Sequence, residues 1–330
     1  MSSRRSGREL DEDDVRVRPP RSSRPRSKER PRHEDATEGM VLTVDRGRLG
    51  CLVDGEEVVA VKARELGRKG VVVGDRVSLV GDLSGRHDTL ARIVRVAPRT
   101  SVLRRSADDD DPVERVLVAN AEQLVIVTAL AEPEPRPRLV DRCLVAAYDA
   151  GLDPVLLLTK ADLAPPDAMI AMYAPLDVPC LVTERGASLD EVRARLALRT
   201  SVLVGHSGVG KSTLVNALVP QAGRATGVVN VVTGRGRHTS SSAVALALPG
   251  GGWVIDTPGV RGFGLAHVSP DGVLAGFPDL AAGAEHCPRG CTHQDADCAL
   301  DAWVEAGHAD AARLDSLRRL LAARELGEPD

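Results

Sequence analysis

The sequence predicts a multi-domain chain in three parts: an N-terminal OB-type β-barrel, a central α/β domain of the P-loop kind, and a small C-terminal α-helical unit built around a metal. Three observations carry that reading. Short β-branched runs broken by turn pairs fill residues 39–99. Strand-like and helix-like segments then alternate to about residue 260. Cys287, Cys291, His293 and Cys298 fall within a dozen residues of one another.

With 330 residues and 43% apolar composition, the chain can bury two or three cores, because domains usually hold about 100–200 residues. No apolar run approaches the ~18–20 residues of a membrane span, and the N-terminus is charged where a signal peptide needs an apolar core. A cytoplasmic location and no membrane contact are expected. The net charge of −4 argues against a globally basic nucleic-acid binder, but the charge is unevenly spread. Between Arg16 and Arg32, eight basic residues stand against Glu29 alone, among Pro and Ser. Residues 1–38 therefore read as a disordered basic arm, either a solvated tail or a weak RNA contact.

The barrel is assigned to 39–105. MVLTVDRGRLGCLVDGEEVVAVKAREL, VVVGDRVSLV and ARIVRVAPR give roughly five strands, with Asp54-Gly55 as a turn pair. Thirteen basic residues against eight acidic ones make this stretch locally positive, and it contains no Phe, Tyr or Trp. Base stacking on aromatics is thus unavailable, so any RNA contact here would be to phosphates and shape. A purely structural barrel is the plainer alternative.

SADDDDP at 106–112 is a charged linker into the α/β domain, assigned to 106–264. VLVANAEQLVIVTAL, LVDRCLVAAYDAGL and DPVLLLTKADL read as strand, helix, strand; LVTERG, TSVLVGHSG and GGWVIDTPGV add three strands. That alternation builds a doubly wound parallel sheet. Residues 265–330 form the last assigned domain, ending in the apolar-spaced helix DAARLDSLRRLLAAREL and read as a separate small unit.

Gly205-His206-Ser207-Gly208-Val209-Gly210-Lys211-Ser212 matches the phosphate-binding loop, between the strand SVLV and the helix STLVNAL that begins with Ser212 and Thr213. Its glycines let backbone N–H groups converge on phosphate oxygens at a helix N-terminus. Lys211 should reach the β- and γ-phosphates, and the Ser212 hydroxyl should ligate Mg2+. Asp256-Thr257-Pro258-Gly259 follows the apolar GGWVI, so Asp256 emerges at a strand's C-terminal end, positioned to hold Mg2+ while the Gly259 amide senses the γ-phosphate. Thr159-Lys160-Ala161-Asp162 ends the strand DPVLLL. A carboxylate there accepts from both N1–H and the 2-amino group of guanine, which adenine does not offer, while the lysine stem covers the base. Thr239 in GRGRHTSSS is the expected mobile ligand to Mg2+, with Ser240 as alternative. Val260 stands where many GTPases carry a water-orienting glutamine, so intrinsic hydrolysis should be slow.

Cys287, Cys291, His293 and Cys298 supply three thiolates and one imidazole, a complete tetrahedral zinc set. With no open ligand position the site should be structural, substituting for a core in a segment poor in large apolar residues. His286 is a competing donor. Cys51, Cys143 and Cys180 read as small buried hydrophobes.

The guanine motif at 159 precedes the phosphate loop at 205 and the aspartate at 256. That order is a cyclic rotation of the usual one, which a compact domain with neighbouring termini tolerates. On these residues, together with VGD at 73–75, APRTSVLRRS at 97–106, AN at 119–120, DRCL at 141–144, GRGRHTS, DTPGVRGFGL and the Cys/His cluster, the chain resembles the RsgA (YjeQ) family of circularly permuted, small-ribosomal-subunit-dependent GTPases over residues 39–300. The resemblance implies GTP hydrolysis to GDP and phosphate, stimulated by the small ribosomal subunit late in its maturation. It also implies rRNA contact and a zinc domain; one structural zinc, Mg2+ with GTP and a monomeric chain are expected. By it, Lys160 and Asp162 select guanine, the 205–213 loop holds phosphates, and His238 aids hydrolysis in place of the glutamine. Three departures stand out: Thr159 replaces an Asn that braces the base loop, the Cys/His gaps of three and four are each one shorter, and Gly262 replaces an acidic residue. A P-loop ATPase or kinase, and an OB protein with a vestigial nucleotide site, are the competing readings. TKAD opposes the first, and intact Lys211, Ser212 and Asp256 oppose the second.

Overall fold

The computed structural model describes residues 33–67, 70–86, 88–106, 114–220, 243–257, 263, 265 and 267–325. The basic arm up to residue 32, most of the charged linker, His238, Thr239, Ser240, Gly259, Val260 and Gly262 lie outside the described residues. The chain divides into two units, Met1–Glu34 and Asp35–Asp330, and everything below concerns the second.

Five strands, β1 (Thr37–Asp45), β2 (Arg48–Val53), β3 (Glu56–Lys62), β4 (Arg76–Gly81) and β5 (Ala91–Val96), pair in the order β1-β2-β3-β5-β4 and close through β1–β4. All pairs are antiparallel except β3–β5. This is the OB barrel. Asp54 and Gly55 both carry positive φ at the β2–β3 turn, the two-residue geometry whose twist matches the flanking strands. Val41, Cys51, Ala60, Leu79 and Ile93 are fully buried inside. Burial pushes the Cys51 thiol up to about 12, so it behaves as a small hydrophobe.

The barrel closes with β5. β6 (Val102–Ser106) forms a separate ribbon with β7 (Glu114–Ala119). The residues before and after that ribbon lock barrel to α/β domain. Asp75, fully buried, receives two bonds from Arg99 (2.7 and 2.8 Å) and one from the Val72 amide. Asn120 donates to the Gly74 carbonyl and accepts from the Thr100 amide. VGD, APRTS and AN are thus three sides of one joint.

VLVANAEQLVIVTAL, read as one strand, is split at Asn120: β7 leaves and β8 (Gln123–Ala129) enters the main sheet. Beside it run β9 (Asp153–Thr159), β10 (Cys180–Val182), β11 (Thr200–Val204) and β13 (Trp253–Asp256), all parallel in the order β10-β9-β8-β11-β13. Successive residues feed opposite faces, as strand geometry requires. Leu124, Ile126, Leu156 and Val202 pack with α1 (Pro137–Asp149), whereas Val125, Val127, Leu157 and Leu203 pack with α3 (Asp190–Leu196) and α4 (Lys211–Leu218). The short α2 (Asp167–Tyr173) lies between β9 and β10 in sequence. One strand was not foreseen. β12 (Val244–Ala247) pairs antiparallel with β13 and reaches β1 at Thr43↔Val244, joining barrel and α/β domain in a single eleven-stranded sheet.

Four helices follow: α5 (Pro270–Leu274), capped by the Ser269 hydroxyl, α6 (Pro278–Ala284), α7 (Ala299–Glu305) and α8 (Ala311–Glu325). The C-terminal helices share a core with the α/β domain. Leu314, Leu317, Leu320 and Leu321 of α8 are buried in the same cluster as Val140, Leu144 and Ala147 of α1, with Phe263, Phe277 and Leu300. The physical reason is the spacing of leucines along α8, which gives it one apolar face that must find a partner, and α1 offers it.

Candidate functional site

The phosphate loop runs from the end of β11 to the start of α4. Gly205 has φ +156, and a Cβ there would sit 2.3 Å from the Val127 carbonyl oxygen of β8. Only glycine lets the loop lie this close to the neighbouring strand. Val209 is buried and anchors the loop from within, while Ser207, Gly208, Ser212 and Thr213 are exposed on its open side. α4 begins at Lys211, so its unpaired amides face the same opening.

Asp256 ends β13 directly opposite Leu203 of β11, one strand from the loop. Lys211 Nζ donates to Asp256 Oδ1 (2.9 Å) and to the Thr257 carbonyl (3.1 Å). The lysine thus rests on the carboxylate side of the cleft. Thr257 is buried and its hydroxyl donates to the Leu203 carbonyl at 2.7 Å, fixing the chain just past the end of β13.

The guanine motif leaves β9, two strands away on the other side of β11. The replacement of Asn by Thr159 was expected to remove a brace between base loop and phosphate loop. The structure shows the brace in place. Thr159 is 7% exposed and its hydroxyl donates to the Val209 carbonyl at 2.7 Å. Lys160 turns the chain in a left-handed conformation, and its ammonium donates to the Glu132 carbonyl. Asp162 is exposed, with its carboxylate open to a ligand.

Two neighbours of this site gave no signal in the sequence. The segment after β10 lies beside the base loop, because Ala161 donates to the Thr183 carbonyl (3.2 Å) and Thr183 to the Leu158 carbonyl (2.8 Å). The segment 132–136 after β8 flanks the phosphate loop: a cleft lined by Pro133 and Arg136 is also lined by Gly205, His206 and Val209. Both follow from parallel strand order, which sequence spacing does not state.

The Cys/His cluster assembles with all four ligand atoms within 4.8 Å of one another. Cys287 Sγ lies 3.8 Å from Cys298 Sγ and 3.7 Å from His293 Nδ1, and Cys298 Sγ lies 3.9 Å from the same nitrogen. A tetrahedron with Zn–S bonds of about 2.3 Å has edges of about 3.8 Å, so the residues fit zinc despite the shortened gaps. The His293 amide donates to Cys291 Sγ at 3.3 Å. Burial holds the His293 imidazole below its usual range, which keeps it in the neutral, ligating form near pH 7. Burial raises the Cys291 and Cys298 thiols, so a bound metal must displace their protons. His286 is drawn off to stack beside Trp303, ring centroids 5.7 Å apart, and is not part of the set. Arg318 of α8 braces the ligand loop by donating to the His293 carbonyl (3.1 Å) while it pairs with both oxygens of Asp301.

Residues 96–266 match the family model described as RsgA GTPase. A relative from Pseudomonas aeruginosa (strain LESB58), called small ribosomal subunit biogenesis GTPase RsgA, is 41% identical over 263 residues, which is 77% of this chain and 76% of the relative. The chain belongs to the RsgA GTPase family. A relative of the same description from Chromohalobacter salexigens is 39% identical over 77% of this chain and 75% of its own. Among solved structures, YjeQ from Thermotoga maritima superimposes with a TM-score of 0.62 at 22% identity, over 88% of this chain and 99% of its own. YloQ, described as a circularly permuted GTPase, gives 0.63 at 22% identity, over 90% and 98%. These two likenesses establish the fold: an OB barrel, a permuted GTPase domain and a helical C-terminal region carrying the Cys/His cluster. The family membership makes the chain a GTPase.

Proposed function

We propose that this chain hydrolyses GTP to GDP and phosphate as a cytoplasmic ribosome biogenesis factor, acting on the small ribosomal subunit and its rRNA and stimulated by it. The carrying observation is that Gly205–Ser212, Asp256 and Thr159–Asp162 converge at the C-terminal ends of β11, β13 and β9 in one parallel sheet, where open α/β sheets bind ligands. Lys211 leaves Asp256 for the β- and γ-phosphates, the loop amides cradle them, and Asp162 reads guanine. Ser212 and Asp256 would hold Mg2+, which when bound neutralises phosphate charge; Thr239, His238 and Gly259 keep the roles expected from the sequence. Cys287, Cys291, His293 and Cys298 would hold one structural zinc.

The relatives' description as small ribosomal subunit biogenesis GTPases supports the partner. So does the outer face of the barrel. Arg48 and Arg92 both stand opposite Val61, and Arg95 stands opposite Ser78 on the strand that also carries Arg76. The register shift between Ser78 and Leu79 is what turns Arg92 and Arg95, three residues apart, outward together. All four arginines are exposed. An arginine face without aromatics suits phosphate contacts, which fix position and carry strong salt dependence.

The test is GTP turnover with and without purified small subunits, on the wild type and on Arg92→Glu/Arg95→Glu. Stimulation in the wild type and a weaker, less salt-dependent effect in the double variant are expected. Turnover indifferent to subunits, or equal displacement of GTP by ATP, would overturn the reading.

A further inference from the structure

DRCL at 141–144 lies on α1, away from both the nucleotide motifs and the Cys/His cluster in sequence, yet Arg142 is 1% exposed. Its Nη2 donates to the Phe263 carbonyl at 2.6 Å and its Nη1 to the Ala323 carbonyl at 3.0 Å. Phe263 is fully buried and follows the D-x-P-G motif by four residues. Thr257 is tied to the strand of the phosphate loop, and Phe263 is tied to α1.

Ala323 belongs to the last turn of α8. The final four carbonyls of a helix lack intrahelical partners and gather the negative end of its dipole, so Arg142 caps α8 with a full positive charge. A guanidinium withdrawn from water needs such acceptors, and moving either carbonyl away strips them from a buried cation. Two further contacts run the same way. Asp141, 3% exposed, pairs with Arg319 of α8 at 3.3 Å, and Arg324 of α8 donates to the Val268 carbonyl at 3.4 Å.

We propose that Arg142 is a positioning residue for GTP hydrolysis: it ties the segment that follows D-x-P-G to the C-terminal turn of α8, so that one does not shift without the other. The inference rests on the nucleotide reading of the site. Arg142 acts through Phe263, whose backbone carbonyl it holds. Arg318 of the same helix holds the His293 carbonyl, so a shift of α8 would reach the Cys/His unit as well.

Hydrogen exchange on the full-length protein, with GDP and then with a non-hydrolysable GTP analogue and Mg2+, reads this directly. Peptides covering 263–268 and 319–325 should both change protection in the wild type. In Arg142→Met the first should still respond and the second should not. The same variant should lose about tenfold in kcat with KM changed less than about threefold, and Arg142→Lys should recover part of kcat. Wild-type silence at 319–325, a response there that survives in Arg142→Met, or an unchanged kcat would each overturn the proposal. Should the methionine variant not fold, the wild-type exchange alone decides. A parallel titration with fluorescent GDP separates the two levels: no binding by the wild type sinks the nucleotide reading, and binding without coupling sinks only the role of Arg142.

Discussion

Replacing Thr159 by Val, an isosteric change, tests the brace between base loop and phosphate loop. The hydroxyl donates to the Val209 carbonyl at 2.7 Å in a setting 7% exposed. Deleting it loses a buried hydrogen bond and strands a buried carbonyl, together about 2–3 kcal/mol. The methyl that replaces the hydroxyl returns about 1 kcal/mol of apolar burial. The net of about 1–2 kcal/mol corresponds to roughly a 5–30-fold loss of GDP affinity if the loop must hold its present shape to bind. Equilibrium titration with fluorescent GDP, alongside urea unfolding of the nucleotide-free protein, separates a binding loss from a folding loss. Thr159→Asn should stay within about threefold of wild type, since an amide can make the same bond. If Thr159→Val binds GDP within twofold of wild type and unfolds at the same midpoint, the brace is not what shapes the loop.

Lys211→Ala should lower turnover by at least about a hundredfold, because it removes a preorganised charge from the γ-phosphate; single-turnover GTP hydrolysis checks it, and a near-wild-type rate would refute the assignment. Chelation should raise protease sensitivity within 285–300 while α8 stays protected, because the leucines of α8 pack on α1 rather than on the metal unit; limited proteolysis with mapping of the cut sites decides, and loss of α8 first would contradict the shared core. Gly205→Ala should abolish nucleotide binding, since its Cβ would meet a backbone oxygen at 2.3 Å; fluorescent GDP binding at wild-type strength would show that the loop can yield. Asp301 is held below the usual carboxylate range, first by its hydrogen bond from Arg318. A lowered folded value means the stabilisation is complete above the ordinary pKa of about 3.9 and is lost as pH falls through the folded value. Exchange protection across α7 and α8 should therefore be flat from pH 7 to 5 and decline only below about pH 4.

The candidate nucleotide and metal residues can be picked out of the chain alone because their chemistry is local. A phosphate loop needs its glycines, lysine and serine in one short stretch, and a Cys3His set needs its ligands within a dozen residues. The C-terminal helix was legible too, from the spacing of its leucines. Its partner was not. That spacing states only that a face must be buried, and the choice of α1 depends on where the rotated termini emerge. β12 was missed for a similar reason: four residues without a periodic signature become a strand because β13 and β1 stand on either side.

The sequence by itself determined which residue sets are candidates for nucleotide and metal, and the order in which the chain presents them. Tertiary structure alone decided what connects them. Thr159 looked like a lost contact until parallel pairing brought β9 beside the phosphate loop, where a hydroxyl reaches Val209 as an amide would. VGD, APRTS and AN looked like three motifs until Asp75, Arg99 and Asn120 met in one joint. In each case the bond spans tens of residues of chain, a distance over which spacing carries no information and only packing selects the partner.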